Sequence, residues 1–188
     1  MAGLWLRRLV AAALGLALTA GCSATPEAGG GFVAGDGTIT VIAAASRQPA
    51  PIITGQTLDG STWSSETVRD KVIVYNVWGS WCSPCRAEAP ALQAAAQATS
   101  EQAVFVGVNT RDLDKAAPQA FVRAFGMTYP NLFDPDGSLL LAFSGQLPAS
   151  AIPSTLLIDR QGRIAARVIG ETTQATLVGL VDDIAQGK

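Results

Sequence analysis

Histidine is absent from all 188 residues. That absence removes His-dependent catalytic triads, an imidazole general base and every imidazole metal ligand. Charge is sparse, at 15% Asp, Glu, Lys and Arg, and nearly balanced, with 13 basic residues against 15 acidic. No basic footprint is left for a nucleic-acid backbone, so nucleic-acid binding is excluded. Cysteine is scarce as well: Cys22, Cys82 and Cys85 are the full complement. Three thiols without a histidine fall short of the four ligands of a structural zinc site, and no metal site is expected. The apolar run 9–18 is shorter than the about 20 residues a membrane-spanning helix needs.

What the chain does contain begins with a leader. Arg7 and Arg8 precede the apolar run, and Thr19, Ala20 and Gly21 lead to Cys22. Basic, apolar and small segments in that order mark a secretory signal, placed at 1–21 and outside the fold. The stretch Leu18-Thr19-Ala20-Gly21-Cys22 resembles the bacterial lipobox. That resemblance implies a lipoprotein in which Cys22 carries the lipid and holds the chain to the cell membrane. Loss of 1–21 takes two arginines from the 13 basic residues, leaving 11 against 15 acidic and a net charge of −4. Residues 23–37 are rich in Gly, Ala, Ser and Pro with no apolar period, and read as flexible chain. A coil of that length has a root-mean-square span of roughly 20 Å. Residues 38–45 have some edge-strand character, but the tether is assigned to 22–48 and one domain to 49–188, opening on Pro49-Ala50-Pro51.

The chain is organised around 72–90. Val72, Ile73, Val74, Tyr75, Val77 and Trp78 form a β-branched and aromatic run that predicts a buried strand. It stops at Gly79-Ser80, and Trp81-Cys82-Ser83-Pro84-Cys85 follows. Ala, Leu, Gln and Glu dominate from Arg86 to about Thr99, so the two cysteines straddle the first turn of a helix. The free N–H groups and positive dipole end there favour a thiolate at Cys82. Cys82 is therefore expected to be the exposed nucleophile and Cys85, one turn further in, the more buried resolving thiol. With Cys22 acylated, the pair is left without other thiols, and a lone vicinal pair in an oxidising compartment is more plausibly catalytic than structural. Pro90 either kinks the helix or ends a shorter one, with a second starting at Ala91. Glu88, on spacing alone, reads as a solvated helix charge.

The run Asn76-Val77-Trp78-Gly79-Ser80-Trp81-Cys82-Ser83-Pro84-Cys85-Arg86-Ala87-Glu88-Ala89-Pro90 resembles the active-site segment of the thioredoxin superfamily, and within it the membrane-tethered thiol-disulfide oxidoreductases of the TlpA/ResA type. The similarity of pattern extends from about Pro51 to the C-terminus. It implies an α/β thioredoxin-like fold with an N-terminal hairpin and a central strand-helix insertion, a redox-active CxxC disulfide, and no bound cofactor. It favours the Pro90 kink, brings Glu88 close to the cysteines to take a proton from the resolving thiol, and gives Pro153 a cis peptide facing the pair. Ile152 would then offer its backbone to a bound substrate strand, while Trp81 covers the nucleophile with an apolar surface. The family implies an extracytoplasmic reductase of protein disulfides, such as those of apocytochrome c during cytochrome c maturation, fed by a membrane electron donor of the CcdA/DsbD type. A general disulfide oxidant or isomerase is the alternative. A peroxiredoxin-like peroxidase fits less well, because the proline and threonine of that family's motif fall on Tyr75 and Gly79. A copper-delivery protein of the Sco kind would need a third ligand such as histidine.

The remaining elements follow from local signals. Residues 52–58 and 61–63 flank Asp59-Gly60 as a hairpin, and Ser64 can cap a short turn. Residues 103–109 predict a second buried strand, 114–125 a helix, 129–133 a short strand, and Ser138 the cap of a helix at 139–143. Residues 151–158 and 163–170 predict an antiparallel hairpin. Thr172-Thr173 then caps a last helix bearing Leu177, Val178, Leu180, Val181 and Ile184.

Overall fold

A computed structural model describes residues 38–68 and 70–188. The expected signal 1–21, the acceptor Cys22 and the first part of the tether lie outside the described residues. Among the described residues, eight strands and four α-helices follow in order. They are β1 (Thr38–Val41), β2 (Thr54–Gln56), β3 (Thr62–Ser64), β4 (Val72–Trp78), α1 (Ser83–Ala98), β5 (Ala103–Thr110), α2 (Ala116–Ala124), β6 (Asn131–Asp134), α3 (Ser138–Leu141), β7 (Ser154–Ile158), β8 (Ile164–Ile169) and α4 (Gln174–Ala185). Six strands form one sheet in the order β1-β8-β7-β4-β5-β6, and β2 and β3 form the separate N-terminal hairpin. Strand β4 runs parallel to β5 and antiparallel to β7, so it lies at the centre.

All seven residues of β4 are buried, as a strand covered on both faces must be. Its alternation sorts them. Val72 and Val74 join Leu92 and Ala95 of α1 and Leu177, Val181 and Ile184 of α4 in one core. Ile73, Tyr75 and Val77 face the other way, onto Leu132, Leu140, Phe143 and Leu156. Asn76 and Trp78 continue the first set and therefore point toward α1. On that helix Cys85, Glu88, Leu92 and Ala95 recur at intervals of three and four and are all buried, so they form its inner stripe. Pro90 is exposed, and the helix continues through it to Ala98. The alternative of two helices divided at Pro90 is thereby removed.

Two expectations are corrected. The domain takes in Thr38–Val41, which a boundary at 49 leaves out, because β1 pairs with β8 from Thr38 opposite Ile169 to Val41 opposite Ala166. Just beyond it Arg47 is buried, forms an ion pair with Asp159 at 3.3 Å, and donates to the backbone carbonyls of Ile42 and Lys188. The alternation of Thr with Ile and Val at 38–41 carries the edge-strand signal, but its partner strand lies over a hundred residues away and Ile39 and Val41 stay exposed, so local sequence did not attach it to the domain. Ser138 does not cap α3 either. Gly137 precedes the helix at φ 76°, and the Asp134 carboxylate accepts the N–H groups of Leu139 and Leu140 at 2.9 and 3.0 Å.

Strand β6 and helix α3 lie between β5 and β7 as the expected strand-helix insertion, and Thr173 caps α4. The insertion is locked through Trp78, whose indole N–H donates to Asn131 at 3.0 Å across Gly107. A Cβ on Gly107 would lie 1.9 Å from Asn131 Oδ1 and 2.7 Å from Trp78 Nε1. Only glycine lets the two side chains meet over β5. We therefore expect Gly107→Ala to lower stability by about 1–3 kcal/mol, the range for overpacked interiors. Urea unfolding of the two proteins checks this.

Candidate active site

Strand β4 delivers the chain to the site, and α1 carries it away. Between them Gly79 accommodates the Trp81 indole, since a Cβ there would lie 2.6 Å from the ring. Ser80 is held by the buried Asp112, which accepts its N–H at 2.9 Å and its hydroxyl at 2.5 Å, and also takes the Asn109 amide at 2.7 Å. Cys82 is the N-cap of α1. Its sulfur accepts the N–H of Cys85 at 3.2 Å, and Pro84 occupies the first turn, where its missing donor costs little. The helix terminus thus aims a backbone donor at Sγ of Cys82, where negative charge would sit in the reduced protein.

Cys82 and Cys85 are closed as a disulfide with Cα atoms 5.3 Å apart. Both are buried, at 4% and 1% exposure, which corrects the expectation that Cys82 stands open to solvent. The cause is the apolar layer of Leu58, Trp78, Ala89, Phe121 and Met127 around the pair, with Ile152 packed against it. Trp81 is the exposed aromatic here, at 53%. Arg86, also exposed, lies over the rings of Phe121 and Phe125 at 5.6 and 5.4 Å, a cation–π arrangement that pins it beside the motif.

Glu88 is not a solvated helix charge. It is 1% exposed, on the inner stripe one turn beyond Cys85. Asn76 donates to Oε1 at 2.9 Å and the Thr172 N–H to Oε2 at 3.0 Å. Burial pushes its carboxyl up from an ordinary value of 4.5 to about 7, against the lowering effect of those two hydrogen bonds, and Glu171 adds a smaller push upward. Such a group exchanges a proton near neutral pH. The Asn76 amide also reaches Thr155 on β7 at 3.3 Å, so the carboxylate is fixed to two strands and to the chain before α4.

The Ile152–Pro153 peptide is cis. Val77 pairs with Ser154, and Gly170 donates to the Pro153 carbonyl at 2.9 Å, so Pro153 sits beside the end of β4 from which the cysteines emerge. Cys82, Cys85, Ile152, Pro153 and Trp81 therefore converge, with Glu88 behind the disulfide. Asp112 and Thr172 were not evident from the sequence. Asn76 left a signal, as the polar residue at a helix-facing position of an otherwise apolar strand.

The Redoxin family matches residues 45–182. The chain belongs to the Redoxin family. This redoxin is 27% identical to the thiol-disulfide oxidoreductase ResA of Bacillus subtilis over 140 residues, 74% of this chain and 75% of ResA. Its fold superposes on that of a DsbF homologue from Corynebacterium diphtheriae with a TM-score of 0.75 at 34% identity, covering 81% of this chain and 97% of that one. A secreted thiol-disulfide isomerase from Corynebacterium glutamicum gives 0.72 at 32% identity, over 80% and 96% of the two chains. The redoxin has a thioredoxin-like fold and is a thiol-disulfide oxidoreductase.

The raised Glu88 carboxyl has a thermodynamic consequence. In the folded protein it holds its proton up to about pH 7, whereas in the unfolded chain it releases it near pH 4.5. The native state then binds more protons between those values, so this contribution to stability is present at low pH and is lost as pH rises toward 7. The full span is about 3 kcal/mol. The oxidised wild type should lose stability relative to Glu88→Gln between pH 5 and 8. Parallel stability profiles from urea unfolding would return Glu88 to an ordinary carboxylate.

Proposed function

We propose that this redoxin is an extracytoplasmic enzyme, tethered to the cell membrane through lipidated Cys22, that reduces protein disulfides such as those of apocytochrome c. Its electrons would come from a membrane donor of the CcdA/DsbD type. The observation that carries the reading is the N-cap position of Cys82 beside a buried Glu88 whose carboxyl exchanges its proton near neutrality. No helix among the described residues is long and apolar enough to cross a membrane, so membrane attachment in this reading rests on the leader alone.

The Cys82 thiolate attacks one sulfur of the substrate disulfide, forming a mixed disulfide and expelling the other sulfur as a thiolate. Cys85 then attacks Sγ of Cys82, closing the enzyme disulfide and releasing the second substrate thiolate. Two electrons pass from the enzyme dithiol to the substrate. Glu88 takes the proton that Cys85 must lose before it attacks. Trp81 and Ile152 receive the substrate chain at the rim, and Pro153 keeps its loop against the disulfide. No step calls on a cofactor.

A second reading, oxidation or isomerisation of protein disulfides, is favoured by the likeness to the secreted isomerase of Corynebacterium glutamicum, whose identity to this chain exceeds that of ResA. All use the same cysteines: oxidation reverses the electron flow, and isomerisation exchanges disulfides with no net electron transfer.

Cys82→Ser should abolish turnover of protein disulfides, and Cys85→Ser should accumulate mixed disulfides that non-reducing gels resolve and dithiothreitol releases. Unimpaired turnover by the Cys82 variant ends this mechanism.

A further inference from the structure

Between β5 and α2, residues 111–115 read Arg-Asp-Leu-Asp-Lys. Four of these five side chains are tied into the fold. Arg111, at φ 60°, donates to the Ala149 carbonyl at 2.8 Å. Asp112 holds Ser80 as described above. Asp114 accepts the N–H of Ala116 at 2.8 Å. Lys115 donates to the Thr57 carbonyl at 3.0 Å and lies 5.5 Å above the Phe133 ring. The fifth is Leu113, and it is 99% exposed.

Arg111 and Asp114 are themselves exposed and Asp112 is buried, and between them the apolar Leu113 projects into solvent instead of turning inward. A solitary exposed leucine is ordinary, and here three further features set it apart. The loop is fastened at once to the motif, through Ser80, and to the segment leading into the cis proline, through Ala149. The exposed Trp81 follows directly after Ser80, so two exposed apolar side chains flank one clamp beside the disulfide. Because its neighbours are fixed, Leu113 loses little backbone freedom when something packs on it, the property of a pre-organised contact.

We propose that residues 111–115 form a third wall of the active site and that Leu113 is a specificity-determining contact for the apolar side chains that flank the disulfide in a protein substrate. This rests on the reading of the enzyme as acting on protein disulfides. The Cys82–Cys85 pair and Trp81 meet the sulfurs and the residues next to them; Leu113 extends that surface to side chains further along the substrate chain. Glutathione disulfide, built from Glu, Cys and Gly, has no apolar side chain to place against it. The wall therefore selects polypeptide over low-molecular-weight disulfides.

The test compares second-order rate constants of the reduced full-length enzyme with two oxidants, insulin as the protein disulfide and glutathione disulfide as the small one, followed by loss of enzyme thiol. Leu113→Asp should lower the insulin-to-glutathione ratio of rate constants about tenfold, through lost apolar contact and an added charge. Leu113→Met, which keeps an apolar side chain of similar volume, should restore it. With its side chain in solvent, neither substitution disturbs the core. An unchanged ratio in Leu113→Asp, or equal losses with both oxidants, overturns the proposal. A wild type that reacts with glutathione disulfide and not with insulin overturns the reading beneath it, and the proposal with it.

Discussion

The packing of the inner stripe of α1 on the helix-facing side of β4 is the constraint from which the active site follows. Val72 and Val74 meet Leu92 and Ala95 in a dry core. One step further along both elements the contact turns polar, with Asn76 donating to Glu88, and one step further still it reaches Trp78 and the disulfide. The strand's period of two and the helix's interval of three to four stay in phase over this distance. A shift of one residue in α1 would turn Glu88 off the inner stripe, and a shift of one residue in β4 would turn Asn76 to the other face of the sheet. Hydrophobic burial at one end of the contact therefore holds the chemistry at the other.

Opposed electrostatic influences meet in that site. The start of α1 offers Sγ of Cys82 an N–H donor and the positive end of the helix dipole, which favour negative charge there. The surrounding apolar side chains and the buried Glu88 work against it. The balance between them sets how readily the disulfide is reduced, because the potential of the pair reflects how far the thiolate is stabilised relative to the disulfide. Residues outside the motif take part in this balance: Asn76 and Thr172 hold the carboxylate, and Asp112 holds the loop that presents Cys82.

Much of this was legible in the sequence. The apolar run 72–78 is β4 to the residue, because a strand buried on both faces leaves an uninterrupted signature. The start of α1, with Pro84 in its first turn, was equally plain, and the cis peptide at Pro153 agrees with what the family resemblance implied. Residues whose partners are distant in the chain were not legible. Arg47 is charged and local cues put it in solvent, yet it is buried against Asp159. Gly107 looks like any strand glycine until Asn131 and Trp78 are brought together above it. Cys82 was expected in the open because nothing local announces that it shares a buried cluster with Leu58 and Met127, distant in the chain. Helical spacing placed Glu88 on a face, and only the packing of β4 showed that face to be the buried one.

The reduction potential of the Cys82–Cys85 pair, obtained by equilibration with dithiothreitol or glutathione buffers, tests the central claim most directly. A protein reductase of the kind described here should equilibrate near the potential of thioredoxin, about −270 mV. A value near about −120 mV, that of a strong disulfide-forming oxidant, would contradict it and reverse the electron flow assigned to the site.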